Sequence, residues 1–257
     1  MKVCIWKNKS GKHLALSYIF LFVLWCFLYK IVNSEVIIPS PKNTIMNLLY
    51  IIKEKDFIFV IGFTILRSFK SFLISVFIAL IIGILSSLSK TIYNIIIPFL
   101  NFLKAVPTIA IIILVLIWID SENAPILIGF IVIFPIAYEN ILLSIKNIDR
   151  KILDMAKIYK VRTFTIVKEI YIPTIFYNLN SILGSIIGLN LKVVIAGEVL
   201  GQPKFSIGTC LQQEKMNLNT AGLFAWIVII VILSVILQWL IKYLYKKFID
   251  KSEIYNV

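Results

Sequence analysis

The sequence is short of charge. Only 15% of its 257 residues are Asp, Glu, Lys or Arg, against about a quarter in an ordinary soluble protein. Acids are the scarcer sign, thirteen against twenty-six Lys and Arg, which leaves a formal net charge of +13. The basic residues lie between apolar runs without a clustered basic face of interleaved aromatics, so the excess does not mark a nucleic-acid binder. Histidine occurs once, as His13, and cannot form a histidine cluster by itself. Cys4, Cys26 and Cys210 are an odd, scattered set without CxxC spacing, which argues against a disulfide framework or a metal site. The phosphate-binding pattern GxxxxGK[ST] is absent as well.

What fills the chain instead is apolar: 60% hydrophobic residues and a mean hydropathy of +0.95. A folded sphere of this length cannot hide that much Ile, Leu, Val and Phe, so lipid is the expected solvent for much of it. This excludes a cytosolic enzyme, a secreted disulfide scaffold and a disordered tail protein. Runs of about 20 residues, enough to cross the hydrocarbon, predict six transmembrane helices in an all-α polytopic membrane protein. They lie at about 14–32, within 57–88, and at about 99–119, 124–143, 173–200 and 221–240. The first resembles a signal peptide, but no small-x-small cleavage site follows, so a retained helix is expected. In 57–88, Arg67 and Lys70 are costly near a bilayer centre. The simplest expectation is an interfacial lead-in to about Lys70, with both cations reaching the surface, and a span over 71–88. A single tilted helix with the cations facing the protein interior is the alternative.

Loop charges give the direction. Residues 1–13 carry four Lys and no acid, and segment 144–172 carries net +4. The tail from Lys242 adds four Lys against Asp250 and Glu253. The alternate connections are poorer: 33–56 balances at zero, 120–123 holds Asp120 and Glu122, and 201–220 totals +1. Both termini are therefore expected in the cytoplasm, as six spans also require.

Segment 144–172 is the most informative stretch. Ile148, Ile152, Met155, Ala156 and Tyr159 recur at helical spacing, which predicts a short amphipathic helix with Asp149 as its cap. A second helical stretch, 164–171, leads to Pro173, which is expected to mark a boundary. A basic loop this long and ordered suggests a docking element for a soluble partner rather than a plain connection. Asp154, Met155 and Ala156, then Lys160, then Pro173 keep the spacing of a loop pattern of Glu-Ala-Ala, Gly and Pro, with Asp for Glu, Met for Ala and Lys for Gly. In these residues the chain resembles the permease subunit of an ATP-binding-cassette importer. KAVPTIAIIILVLIW (104–118), IVIFPIAYENILLSI (131–145) and LNLKVVIAGEVLG (189–201) are similar to the nitrate, sulfonate, taurine and bicarbonate group, which also includes permeases for thiamine-related pyrimidines.

The resemblance implies a type I importer permease fold, with a tail, first helix and external loop over 1–56, a core permease domain over 57–245 and a cytoplasmic tail over 246–257. It implies that Asp154 to Lys160, Tyr159 included, form a coupling helix seated on an ATPase. It also implies a homodimer, two copies of a cytoplasmic ATPase and an extracellular or periplasmic substrate-binding protein, in a bacterial plasma membrane. No cofactor is expected in this chain, since ATP and Mg would be bound by the partner ATPase, and no enzyme activity of its own.

Candidate path residues follow from polarity inside apolar spans. Gly184 and Gly188 form a GxxxG pair and Ser181 and Ser185 share its spacing, which suits close helix packing or substrate contact. Asn178, Asn180 and Asn190 need polar partners or a wet path. Lys192 and Glu198, about 240° apart on a helix, should not pair with each other, and each needs another helix, a terminus or water. Lys192 would suit a passing anion, whereas Glu198 would bind the capture protein or brace a gate. Pro107, with Lys104 and Thr108, is expected to bend or open the third span; Pro125 and Pro135 disturb the fourth; Glu139 is a gate or brace near its inside end. An amino-acid or metal permease of the same class is the nearest alternative. An ion-driven secondary transporter would show an inverted repeat and deep coupling acids, and neither is seen.

Overall fold

The computed structural model describes the backbone of residues 11–253; the side chains of 11–15, 18, 180, 181 and 244–253 are outside the description. Lys2, Cys4, Lys7, Lys9 and 254–257 therefore lie outside it, as do the side chains of Lys12, His13, the path candidates Asn180 and Ser181, and the tail residues 246–253. Among the described residues the chain is helical throughout its regular structure: α1 (Gly11–Val32), α2 (Pro41–Lys53), α3 (Phe57–Leu88), α4 (Lys90–Ala105), α5 (Thr108–Trp118), α6 (Ala124–Lys146), α7 (Arg150–Ile158), α8 (Thr163–Ile166), α9 (Ile172–Gly201), α10 (Ile207–Met216) and α11 (Thr220–Glu253). A π-turn, Val167–Tyr171, joins α8 to α9.

Four described helices are long and apolar enough to cross a membrane: α3, α6, Ile182–Gly201 of α9 and Thr220–Tyr243 of α11. The pair α4 and α5 makes a fifth candidate, bent by 101° at its break. The stretch Ile19–Val32 of α1 is a shorter apolar helix. The third span expected as one helix over 99–119 is thus two, and the reason is local. Pro107 lacks an amide hydrogen and confines Val106 to extended backbone (φ −75°, ψ 128°), so α4 ends and α5 starts afresh.

The chain forms two compact units. One comprises the described residues up to Phe57 with Leu211–Ile229. In it, Ser40 caps α2 by accepting from the Asn43 amide at 3.2 Å, with Pro41 at the first helical position. Trp25 donates to the Pro39 carbonyl at 3.1 Å and stacks on Phe224 with ring centroids 5.7 Å apart. On α2, Thr44 and Ile51 are buried and Asn47 accepts from Asn219 at 3.2 Å, while Ile45, Met46, Leu49 and Tyr50 are exposed.

The other unit comprises Ile58–Cys210 with the residues from Ile230 onward. Its core is the contact of α6 with α9, filled by Ile133, Ala137, Ile141, Ile175, Leu179 and Ile186. Helix α3 corrects the expectation of a surface lead-in followed by a span. It is one continuous 32-residue helix, Lys70 is exposed, and Arg67 is buried at 5% exposure instead of reaching the surface. The physical reason is a polar stripe. Thr64, Arg67, Ser68, Ser71 and Ser75 recur at helical spacing and are all buried, whereas Phe63, Leu66, Phe69, Leu73 and Phe77 face outward. Inverted amphipathicity of this kind is stable only where the surroundings are lipid.

Pro173 stands in the first turn of α9, the helix start expected of it, but the helical backbone runs into that turn without the expected break. The preceding π-turn closes with the Ile172 amide on the Val167 carbonyl, a wider ring that accommodates the residue unable to donate. The Thr174 hydroxyl donates to the Ile170 carbonyl at 2.7 Å within the same turn.

Candidate functional site

Three helices meet around a buried amide. The Asn190 side chain, on α9, has no exposed surface and bridges to α3: its nitrogen donates to the Ser68 carbonyl at 2.6 Å and to the Ser68 hydroxyl at 3.1 Å. Its oxygen accepts from the Ser71 hydroxyl at 3.0 Å. Gly129 of α6 completes the crossing, since a Cβ there would stand 2.2 Å from the Ser71 hydroxyl and 2.8 Å from the Asn190 oxygen.

Two turns along α9, Glu198 is completely buried and fully engaged. One carboxylate oxygen accepts from Arg67 at 3.1 Å. The other accepts from the Thr64 hydroxyl at 3.0 Å and from the Gly208 amide at 3.3 Å. Arg67 spends its remaining donors on backbone and on a second acid: the Phe205 carbonyl at 2.9 Å, the Glu122 carbonyl at 3.0 Å, and an ion pair with the Glu122 carboxylate. Glu122 also accepts from the Lys204 amide at 2.8 Å. The clamp therefore ties α3, the end of α9, the turn before α6 and the segment leading to α10. A buried charge survives only with such complete pairing. Gly208 is required by the approach, because a Cβ there would lie 2.4 Å from Glu198 Cβ and from the Val199 amide nitrogen. In the turn before α6, the Asn123 side chain holds the Asp120 carboxyl below its usual range.

A third polar group sits at the bend. Lys104, in the last turn of α4, pairs with Glu139 of α6, and both are partly exposed. Pro107 and Thr108 are exposed at the break itself. Pro125 falls in the first turn of α6 and Pro135 inside it. On α9, Lys192 and Ser185 are exposed, and Lys192 makes no ion pair among the described residues. Gly184 and Gly188 meet α11: a Cβ at Gly184 would stand 2.9 Å from the Lys242 side chain, and one at Gly188 2.7 Å from Gln238.

The 144–172 segment presents a separate surface. Asp149 caps α7 by accepting from the Lys151 amide at 3.0 Å. At the other end Lys160 stands in the left-handed region (φ 53°), the Val161 amide donates to the Ala156 carbonyl and the Lys160 amide to the Lys157 carbonyl, both at 2.9 Å. This is a complete Schellman closure with lysine where glycine is favoured. The apolar face splits: Ile148 and Ala156 are buried, but Ile152, Met155, Ile158 and Tyr159 are exposed. Asp154 is exposed beside Lys157, 3.5 Å away. Pro173 is exposed one residue into α9.

Arg67, Ser68, Ser71, Glu122 and Gly129 are absent from the sequence-derived candidates. The signal for three of them was present as the α3 stripe; Glu122 and Gly129 carried none, because their partners are remote in sequence.

Buried polar ties among helices long and apolar enough to span, a broken helix carrying an ion pair and a capped basic loop are the make-up of a multi-pass membrane protein. A family model described as binding-protein-dependent transport system inner membrane component matches residues 71–250, and the chain belongs to that family. Its members are permease components of importers and not enzymes. The chain is also similar, at 22% identity over 227 residues covering 88% of this chain and 82% of the relative, to the "Putative aliphatic sulfonates transport permease protein SsuC" of Bacillus subtilis (strain 168).

Proposed function

We propose that two copies of this chain form the solute path of an ATP-driven importer in a bacterial plasma membrane. Both termini and the 144–172 loop face the cytoplasm. The exposed face of α7 seats on an ATPase that binds ATP and Mg, one ATPase for each copy, and a capture protein delivers cargo at the opposite membrane face. ATP-driven closure of the ATPase pair moves the α7 helices and changes the open side of the bundle. The observation that carries this reading is α7 itself: capped at both ends, basic, and displaying Met155, Ile158 and Tyr159 to no partner within the described residues. A family member with such a surface has the shape of a docking helix. The cargo we propose is a small alkyl sulfonate, on the strength of the relative's name and of the lysines Lys104, Lys146 and Lys192 on spanning helices.

Mass spectrometry of what co-purifies from the native membrane in mild detergent tests the assembly. An ATPase and a capture protein are expected; a homodimer alone, also after chemical crosslinking, would overturn it. Asp154→Lys reverses a charge at the seat and is expected to lower ATPase recovery about tenfold. Unchanged recovery with a folded variant removes that role.

A further inference from the structure

A trough of about 330 Å³ runs between α4 and α6, and nothing above assigns it. Its walls are antiparallel stripes, each on one helix face. At one end the Lys146 ammonium lies 4.7 Å from the Tyr93 ring centroid and 3.4 Å from the Tyr93 hydroxyl. At the other end Glu139 is already neutralised by Lys104. The seven-residue step along α6 from Glu139 to Lys146 sets the ends about 10 Å apart. Ile97, Leu100 and Leu142 line the middle. Asn101 adds an amide, and Tyr138 is a lining residue whose buried hydroxyl has no hydrogen-bond partner among the described residues.

From this we infer that the trough is a binding site for the transported solute, an oxyanion on a short linear alkyl chain, held with its head at Lys146 and Tyr93 and its chain along Ile97 and Leu142. The inference rests on the permease reading above and adds the site and its selectivity. Charge decides the class. Lys146 is the one trough cation without an acidic partner among the described residues, so it takes a single negative charge. Sulfate would bring two charges and leave the apolar walls unfilled. An α-amino acid would set its ammonium beside Lys146, and a metal cation would be repelled outright. An alkyl sulfonate satisfies both halves of the trough, with the Tyr93 hydroxyl beside Lys146 free to donate its proton to the head.

The test uses the complete importer, with ATPase and capture protein, in proteoliposomes, and labelled butanesulfonate as probe. Lys146→Gln is expected to lower uptake about tenfold and Lys146→Arg to restore most of it, as loss and return of a charge-assisted bond require. Ile97→Trp narrows the trough, and the preference should move from butanesulfonate toward methanesulfonate by about fivefold. ATP hydrolysis stimulated by the capture protein is followed in parallel; a fall in hydrolysis that tracks uptake in Lys146→Gln, with chain-length preference unmoved in Ile97→Trp, would show a structural role and overturn the site. Unchanged uptake and preference in both variants would overturn it too, leaving the permease reading intact. A working importer that moves an amino acid or a metal but no sulfonate rejects the cargo and this site together. Failure to associate with any ATPase rejects the permease reading itself. A phospholipid retained by the wild type, lost in Lys146→Gln and without effect on uptake would assign the trough to lipid and also overturn the inference.

Discussion

Glu198 shows how far a residue's neighbours outweigh its place in the chain. Near the end of an apolar span, a lone carboxylate reads as a group that reaches for water or a partner protein. In the structure it reaches Arg67, Thr64 and the Gly208 amide and has no exposed surface. Removing one member of such a pair leaves the other charge buried and unpaired, at a cost of about 3–5 kcal/mol. Glu198→Ala and Arg67→Ala should each lower the detergent-solubilised melting temperature sharply. The double variant should lose less than the sum, with a coupling of about 2 kcal/mol or more in a double-mutant cycle. Additive losses would mean that the two side chains act independently. The sequence made each charge legible as expensive, and the need of Glu198 for another helix followed from its angle to Lys192. It could not make their meeting legible, because 131 positions separate them and only the packed helices bring them together.

Among the elements, the outcome divides by how local the deciding physics is. Helix α7 was legible because its cap, its spacing and its length are all written within a dozen residues. The break at Pro107 was legible as a disturbance, although its 101° amplitude depends on what α4 and α5 pack against. In α3 the alternative of a single helix holds, with Arg67 but not Lys70 turned to the protein interior, and the simpler expectation of a surface lead-in fails. The buried serines and threonine on the same face already indicated a polar interior to receive it. Continuation through Pro173 was hidden for a different reason, since a π-turn has no distinctive residue signature. The end of α7 carries a prediction at this scale. A non-glycine residue in the left-handed region costs about 1 kcal/mol, so Lys160→Gly should stabilise the loop by about that amount without altering its hydrogen bonds. Slower amide exchange at Val161 would register this, and an unchanged or faster rate would mean that the lysine conformation carries no strain.

For the whole molecule, composition pointed to lipid as the solvent before any helix was placed, and the inverted faces of α3 agree with it. Orientation follows from loop charge and can be read directly. With Cys4, Cys26 and Cys210 replaced, a single cysteine at exposed Tyr159 should react with a membrane-impermeant thiol reagent only from the cytoplasmic side, and one at exposed Asn123 only from the opposite side. Labelling of both from one side would reverse or abolish the expected topology. Assembly is least legible from a single chain, since the surfaces that meet a partner are the ones the chain itself leaves uncovered. The continuity of α9 links the two labelled faces mechanically. Its thirty residues form a rod about 45 Å long, begun by a π-turn beside the basic loop and locked near its far end by the Arg67 clamp. If the proposed ATPase pushes on 163–171, one unbroken helix carries that push to Glu198, so on this proposal the Arg67→Ala variant should uncouple ATP hydrolysis from uptake, and tight coupling in a folded variant would reject it.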